Sequence, residues 1–317
     1  MPNEPRETHT VFSPLMPDLE AVLQRRISSR LIIDEYSKFG MDVERFFVGV
    51  ESVGIYECPQ TKYRFYHPPS TMGDDVFYEE MQRIGIDYYV KEKGEFEIAL
   101  RGIREGERVL EVGCGDGVFL EKLRQKNIEG VGLEFNKLAV AKCLSKGLDV
   151  RGGSIEDFAS AHPEEFDVVV LFQVLEHIYD VRAFIQDLLR CLKKGGKLIV
   201  AVPDNSPYYQ NFRIHLTFNM PPHHIGLWND ESFRNLAKVF DLSLVSIDYD
   251  EAHGSLPKYV YFLGDLLLSR FPLIHENILV RNLLIGFLLP YTLPVVLKMK
   301  LRGELRPQTI IATFAKP

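Results

Sequence analysis

The chain has 317 residues, of which 46% are hydrophobic, so it is long enough for one sizeable core with appended segments. A formal charge of -7 and the absence of a dense basic patch with interleaved aromatic residues argue against a nucleic-acid partner. The four scattered cysteines form no CxxC pair and have no histidine at metal-ligand spacing, so neither a disulfide framework nor a zinc site is indicated. The first ten residues, MPNEPRETHT, lack the apolar stretch of a secretion signal, so we expect a cytoplasmic protein.

The first 94 residues do not follow a regular pattern of strands and helices. They contain aromatic-rich, proline-containing text such as ECPQTKYRFYHPPSTMGDDVFYEEM. We interpret residues 1–94 as an N-terminal extension or cap that precedes the main domain.

Seven short runs rich in Val, Ile and Leu follow, separated by helical periodicity. They read ERVLEVG, GVGLEFN, LDVRGG, FDVVVLF, KLIVAVP, LSLVSIDY and TIIATFA. The first five have apolar residues on both pleat faces, as expected for a parallel sheet covered by helices on both sides. The pattern predicts an open α/β sandwich over residues 95–257, with its final strand in residues 304–317.

Residues 258–303 interrupt this alternation with apolar, proline-containing text, and we predict a helical insert or lid there. Its longest clean apolar stretch, residues 283–289, is far shorter than the roughly 20 residues needed to cross a bilayer. Basic residues near its end leave open a helix resting on the inner face of a membrane. A homodimer contact or a buried lid through residues 258–302 would have the same composition.

The most informative segment is VLEVGCGDGVFLEKL, in which a strand, a glycine turn and a helix follow one another. Gly113, Gly115 and Gly117 permit positive φ angles and let a ligand approach the main chain without an intervening Cβ. In a dinucleotide-binding GxGxxG turn the third glycine would come one position later, where this chain has Val118. Pyrophosphate binding is therefore disfavoured.

Two further segments contain residues suited to binding a nucleoside next to this turn. Glu134 ends the second strand about twenty residues on, where a carboxylate can accept hydrogen bonds from both ribose hydroxyls. A surface carboxylate is the alternative. In GSIEDF, Ile155 can pack on an adenine ring and Glu156 can meet its polar edge, although a helix N-cap at Ser154 explains the same text.

Together with FQVLEHIYD after the fourth strand, these segments resemble the class I S-adenosylmethionine-dependent methyltransferases, over about residues 95–250. The resemblance implies a Rossmann-like α/β three-layer sandwich with a seven-stranded, mostly parallel sheet whose last strand is antiparallel. It also implies S-adenosylmethionine as the cofactor and S-adenosylhomocysteine as the product. The cofactor-binding residues that it implies are Tyr88, Tyr89, Glu111, Gly113, Cys114, Gly115, Gly117, Glu134, Ile155, Glu156, Gln173 and Leu175.

Three histidines follow strands at the predicted ligand-binding edge of the sheet. His177 lies in LEHIYD, and His223 and His224 lie in MPPHHIGLWND. The PPHH segment resembles one found in methyltransferases of sugar, polysaccharide or secondary-metabolite modification. We therefore take His224 or His223 as the preferred catalytic base, with His177 as a further candidate. Structural hydrogen bonding and metal binding are alternatives, and we predict no metal site because no further ligands can be identified.

The acceptor is expected to be a small molecule. Our leading hypothesis is methylation of a hydroxyl on a sugar or glycan precursor. N-methylation of an amino sugar and methylation of a quinone- or phenol-like lipid are the alternatives within the class. A nicotinamide-dependent oxidoreductase and a non-catalytic cofactor-binding scaffold are the alternatives outside it.

Overall fold

The protein is described by a computed structural model that covers residues 10–84, 93–206, 217–250, 260, 264, 278–301 and 309–317. Its strands are β1 (Val22–Ser28), β2 (Ser52–Glu57), β3 (Arg64–His67), β4 (Arg108–Val112), β5 (Glu129–Glu134), β6 (Asp149–Gly152), β7 (Phe166–Phe172), β8 (Leu192–Pro203), β9 (Gly226–Leu227), β10 (Ser243–Tyr249) and β11 (Thr309–Ala315). Its α-helices are α1 (Ser29–Ser37), α2 (Asp75–Arg83), α3 (Gly94–Arg101), α4 (Val118–Gln125), α5 (Lys137–Ser145), α6 (Ile155–Ala161), α7 (Val181–Cys191), α8 (Asp230–Val239) and α9 (Ile278–Leu301).

The seven predicted strands form one sheet, in the order β10-β11-β8-β7-β4-β5-β6. The strands β4 to β8 pair in parallel, whereas β11 runs antiparallel to both β8 and β10. This topology confirms the predicted mostly parallel α/β sheet with an antiparallel last strand. The strand order reverses at β4, and ligands of such sheets bind at the carboxyl ends of the strands near this reversal.

Helices cover both faces of the sheet because consecutive residues of its central strands are buried on opposite sides. Leu110 and Leu171 belong to one buried cluster with residues of α6, α7 and α8. Val109 and Val170 belong to a second cluster with residues of α3, α4 and α5. Both clusters are apolar, so burial on two faces stabilises the strands that carry the site.

A second sheet, which the sequence pattern did not reveal, has the order β1-β2-β3-β9 and is antiparallel throughout. Three of its strands come from the N-terminal segment, and β9 comes from the PPHHIGLW segment. Strand β9 pairs Leu227 with Arg64 and Gly226 with Phe65. Pairing between residues so far apart along the chain leaves no local signal, and a strand of two residues has no periodicity. The N-terminal segment is thereby joined to the loop that contains His223 and His224.

Helix α9 contains Pro290 and Pro294 and leaves several large apolar side chains exposed, among them Leu283 and Phe287. Within the described residues, no helix has the length and apolar character needed to cross a membrane. The other residues of the predicted insert, apart from 260 and 264, lie outside the described part of the chain.

Candidate active site

The glycine turn joins β4 to α4 at the point where the strand order reverses. Gly113, Gly115 and Gly117 have φ angles of 73°, 51° and 75°, which favour glycine. A Cβ on Gly113 would lie 2.5 Å from Val174 Cγ2, and one on Gly117 would lie 2.5 Å from Leu148 Cδ1. These glycines are therefore required both by backbone conformation and by close packing.

Cys114 lies within the turn but its side chain faces the protein interior. It is buried in the cluster beneath α4, where a Cβ on Gly132 would lie 2.6 Å from Cys114 Sγ. A bound ligand would therefore meet the backbone of Cys114 rather than its thiol.

Glu111, at the end of β4, is almost fully buried. Its Oε2 atom has no hydrogen-bond partner among the described residues, and burial raises the pKa of the carboxyl group well above its usual value. The positive charge of Lys93 partly opposes this rise in the pKa of Glu111. The two side chains form no ion pair among the described contacts. A buried carboxylate with one oxygen free of hydrogen bonds among the described residues, next to a glycine turn, suits the cationic methionine part of S-adenosylmethionine. The residues present therefore fit this cofactor.

We predict that Glu111→Gln makes the ligand-free protein more stable and weakens S-adenosylmethionine binding. Because the pKa of Glu111 is raised in the folded state, the protonated form of this group favours folding. This contribution to stability is fully present below the unfolded-state pKa of about 4.3 and is lost as pH rises. The variant should therefore gain about 1–3 kcal/mol over wild type towards pH 8, and less near pH 5. Denaturant unfolding at the two pH values, with calorimetric titration of the cofactor, tests this. A variant that is less stable at both pH values would contradict it.

Glu134 ends β5 and holds the glycine turn in place. Its Oε2 accepts a hydrogen bond from Gly115 N at 2.8 Å, and its Oε1 accepts one from Asn136 N at 2.9 Å. Each carboxylate oxygen has a second lone pair, so both can also accept from ribose hydroxyls. Asn136 in turn caps α5 by accepting from Leu138 N and Ala139 N.

We predict that Glu134→Ala lowers S-adenosylmethionine affinity by roughly 10- to 150-fold, which corresponds to the loss of hydrogen bonds to a charged group. Glu129→Gln is the matched control, because Glu129 starts the same strand at the opposite edge and pairs with Arg108. Equal affinities of the two variants would argue against a ribose contact at Glu134. Calorimetric titration of the cofactor measures both.

The predicted adenine loop begins α6. Ser154 caps this helix, because its Oγ accepts from Asp157 N at 3.1 Å. Ile155 packs into the core and Glu156 is exposed. The cap is the alternative that the sequence left open, and both Glu156 and Asp157 are exposed after β6.

Gln173 and Leu175 follow β7 and border the glycine turn through Val174. Gln173 has a φ angle of 57° and its Nε2 donates a hydrogen bond of 2.8 Å to Glu95 Oε2. Leu175 is fully buried in the core. Glu95, at the start of α3, is itself buried, and burial raises its pKa. It is a candidate site residue that the sequence did not single out, since it resembles an ordinary acidic residue in a first helical turn.

Tyr88 and Tyr89, predicted to cover the cofactor, lie outside the described residues.

The three candidate histidines meet in one cluster. Their ring centroids are 4.8 Å apart for His177 and His223, 4.9 Å for His177 and His224, and 4.3 Å for His223 and His224. Burial lowers the pKa of His177 to about 4, although the carbonyls of His223 and Gln173 raise it. Burial, with His177 adding to it, lowers the pKa of His223 well below its usual value. Both rings are therefore neutral at physiological pH.

Side chains from the N-terminal segment hold this cluster. Tyr36 Oη donates to Met220 O at 2.9 Å, and Tyr66 Oη donates to Asn219 O at 3.0 Å. Tyr78 Oη donates to His223 O at 3.2 Å and also lies 3.2 Å from His177 Nδ1. These tyrosines could not be recognised from the sequence as neighbours of the histidines, because they precede them by more than 90 residues.

Glu176 is the second site residue that sequence reasoning missed. It is about 1% exposed, and neither carboxylate oxygen has a hydrogen-bond partner among the described residues. Its Oε1 lies 4.0 Å from His177 Nε2. Burial raises the pKa of Glu176 to about 8. Glu176 could have been recognised in the sequence as an acidic residue within the largely apolar segment QVLEHI.

A sequence family described as a methyltransferase domain matches residues 82–247, just over half of the chain. The protein therefore belongs to the methyltransferase domain family. This assignment confirms the resemblance to class I S-adenosylmethionine-dependent methyltransferases and the expected cofactor. A nicotinamide-dependent oxidoreductase is accordingly not supported.

Curated relatives match about a third of the chain. It is 35% identical over 108 residues to the ubiquinone biosynthesis O-methyltransferase of Pseudomonas entomophila, covering 32% of this chain and 47% of that protein. It is 37% identical over 97 residues to the enzyme of the same name from Thiobacillus denitrificans, covering 29% of this chain and 42% of that protein. The chain thus spans about half the length of the curated relatives that it matches.

The fold has a counterpart among solved structures. A SAM-dependent methyltransferase from Archaeoglobus fulgidus superposes with a TM-score of 0.52 at 17% sequence identity, covering 77% of this chain and all of that one. At this identity the similarity establishes the fold alone, which agrees with the strand order described above.

Proposed function

We propose that the protein transfers the methyl group of S-adenosylmethionine to a hydroxyl oxygen of a phenolic, quinone-related lipid. The observation that carries this proposal is the cluster of His177, His223 and His224 beside Gln173, at the edge where the predicted cofactor residues lie. A phenol reacts faster once it loses its proton, and a buried imidazole can accept that proton. The names of the curated relatives support the acceptor class.

The proposal replaces our first hypothesis of a sugar hydroxyl. That hypothesis came from the PPHH segment alone, whereas the curated relatives carry names from ubiquinone biosynthesis. The quinone- or phenol-like alternative therefore has the better support. An amine acceptor would attack without a base and would leave the histidine cluster without a catalytic task.

In the proposed reaction, bound cofactor supplies a methyl group whose bond to sulfur breaks with the electron pair leaving on sulfur. Glu111, Glu134 and the glycine turn hold the cofactor. His224 Nε2 takes the proton of the acceptor hydroxyl, and the acceptor oxygen becomes a methyl ether. His224 Nδ1 lies 3.1 Å from Asn219 Oδ1, and this hydrogen bond orients the ring for the transfer. The main contribution of the protein is alignment with water kept out.

An apolar surface supports a lipid-like acceptor. Helix α9 exposes large apolar side chains, including Leu283 at 63% and Phe287 at 70%. We propose that this surface rests on a membrane from which the acceptor enters, the arrangement left open for residues 258–302. Co-sedimentation with lipid vesicles that is lost in Leu283→Ser/Phe287→Ser would support this. A concentration-dependent dimer that the same variant abolishes would instead assign the surface to a homodimer.

The experiment that tests the proposed function is a competition among acceptor classes. Purified protein and S-adenosylmethionine are incubated with a catechol bearing a short prenyl chain, with a nucleotide sugar and with an amino sugar. We expect methyl transfer to the catechol oxygen only, identified by mass spectrometry and the position of the new methyl signal in NMR. Transfer to the sugar hydroxyl instead would reject the phenolic acceptor.

A further inference from the structure

The histidine cluster has the composition and geometry of a metal site. One ring nitrogen from each of His177, His223 and His224 lies within 4.8 Å of the others. We propose that these three imidazoles bind one divalent transition-metal ion, with zinc as the best match to three nitrogen ligands. The sequence did not predict this site because its ligands come from two segments that only the fold brings together.

Hydrogen bonds set the orientation of two of the rings. His177 Nδ1 lies 2.7 Å from His223 O, and His223 Nδ1 lies 2.8 Å from Phe218 O. A carbonyl oxygen can only accept a hydrogen bond, so both Nδ1 atoms carry the proton. The lone pair of the His223 ring is therefore on Nε2. His177 has a second carbonyl partner, Gln173 O, which an ion bound at this ring must displace. Metal-binding histidines typically use one nitrogen for the metal and donate the other to a carbonyl or carboxylate.

A chain of side-chain amides sets the third ring. Asn205 Nδ2 donates to Pro203 O at 3.1 Å, so Asn205 presents its Oδ1 to Asn219. Asn219 Nδ2 donates to that oxygen at 2.8 Å, which leaves Asn219 Oδ1 facing His224 Nδ1 at 3.1 Å. His224 Nδ1 is therefore the donor, and Nε2 is the atom with which this ring coordinates an ion.

Glu176 gives an independent indication of a cation. It is about 1% exposed, and both of its carboxylate oxygens lack a hydrogen-bond partner among the described residues. Its Oε1 lies 4.0 Å from His177 Nε2, the proposed ligand atom. A buried carboxylate is costly without a compensating charge, and a divalent ion at the histidines would supply one.

Binding requires a modest contraction of the cluster. Tetrahedral zinc with bonds of about 2.0–2.1 Å to nitrogen separates its ligand atoms by about 3.4 Å, so ring nitrogens that lie up to 4.8 Å apart must approach by up to about 1.4 Å. Three protein nitrogens leave a fourth position open, as in catalytic zinc sites. On the proposed function, the acceptor oxygen would occupy this position. The ion would then take over from His224 the task of favouring the deprotonated acceptor.

The test is titration of the full chain, stripped with EDTA and dialysed, with zinc chloride in a calorimeter. We expect one equivalent to bind with a Kd of about 1 μM or tighter. His223→Ala and His224→Gln should each weaken this binding by at least roughly 100-fold. Asn219→Ala, which removes the partner of His224 Nδ1 together with the donor to Asn205 Oδ1, should weaken it by roughly 10- to 100-fold. Cobalt chloride gives an optical readout through its visible absorption when four-coordinate.

His162→Ala is the matched control, because His162 pairs with Glu165 at the opposite edge of the sheet. It should bind zinc like wild type. Circular dichroism and S-adenosylmethionine titration establish that each variant is folded. Absence of zinc binding by the folded wild type, or a Kd unchanged in all three cluster variants, would overturn the site. Zinc binding together with failure to methylate the catechol would reject the acceptor and leave the site intact.

Discussion

Gly113→Ala is expected to lower the affinity for S-adenosylmethionine by roughly 100-fold while the protein stays folded. The added Cβ would lie 2.5 Å from Val174 Cγ2, so the glycine turn and the loop after β7 must separate. These two loops contain Glu111, Gly115 and Gln173, which we predict to contact the cofactor. A displacement of about 1 Å at such a site is sufficient for an effect of this size.

The control variant Gly106→Ala separates the loss of cofactor affinity in Gly113→Ala from the effect of backbone strain. Gly106 has a φ angle of 83°, close to the 73° of Gly113, but a Cβ there would meet nothing within 4 Å. Both variants should therefore lose about 1–2 kcal/mol of stability from the left-handed conformation. Only Gly113→Ala should lose cofactor affinity. Calorimetric titration of both proteins, with thermal unfolding as the stability measure, decides the matter, and equal affinities would place the cofactor away from this turn.

His224→Ala is expected to lower turnover by about 10² to 10⁴, the usual range for loss of a proton-accepting group, while cofactor affinity stays near wild type. The variant removes the Nε2 atom, whether that atom accepts the proton itself or coordinates an ion that does the equivalent task. Single-turnover methyl transfer to the catechol acceptor measures the effect. If the role of His224 were purely structural, the variant would not lose turnover while it retains cofactor affinity.

His162→Ala is again the control, since that ring stacks on Phe158 and pairs with Glu165 away from the cluster. Its turnover should equal that of wild type. Unchanged turnover in His224→Ala would remove this residue from the mechanism. Repeating both measurements after EDTA treatment distinguishes the two tasks, because a metal-dependent enzyme loses activity on chelation and recovers it with zinc.

The cofactor half of the molecule could be predicted from the sequence because its signals are local. The runs of Val, Ile and Leu have the periodicity of strands buried on both faces, and all seven occur in the sheet. Gly113 and Gly117 mark a turn with positive φ angles, where an added Cβ would lie 2.5 Å from a neighbouring side chain. Glu134 follows at the distance set by one helix and one strand. Each of these features depends on residues within about 25 positions of one another.

The acceptor half could not be predicted in the same way. Residues 1–94 read as an undefined extension, yet β1, β2 and β3 form a sheet with β9, and Tyr36 and Tyr66 hold the loop before His223. These contacts join residues more than 150 positions apart, and no local periodicity encodes them.

The sheet, the glycine turn and the methyltransferase class could be predicted from the sequence, because hydrophobic periodicity and turn chemistry act between near neighbours along the chain. The contact of His177 with His223 and His224, and the burial of Glu176 beside them, became visible only in the folded chain. A sequence shows which side chains can bind a proton or a metal ion. Their distances, burial and ring orientations arise from long-range packing, and these determine what the cluster can do.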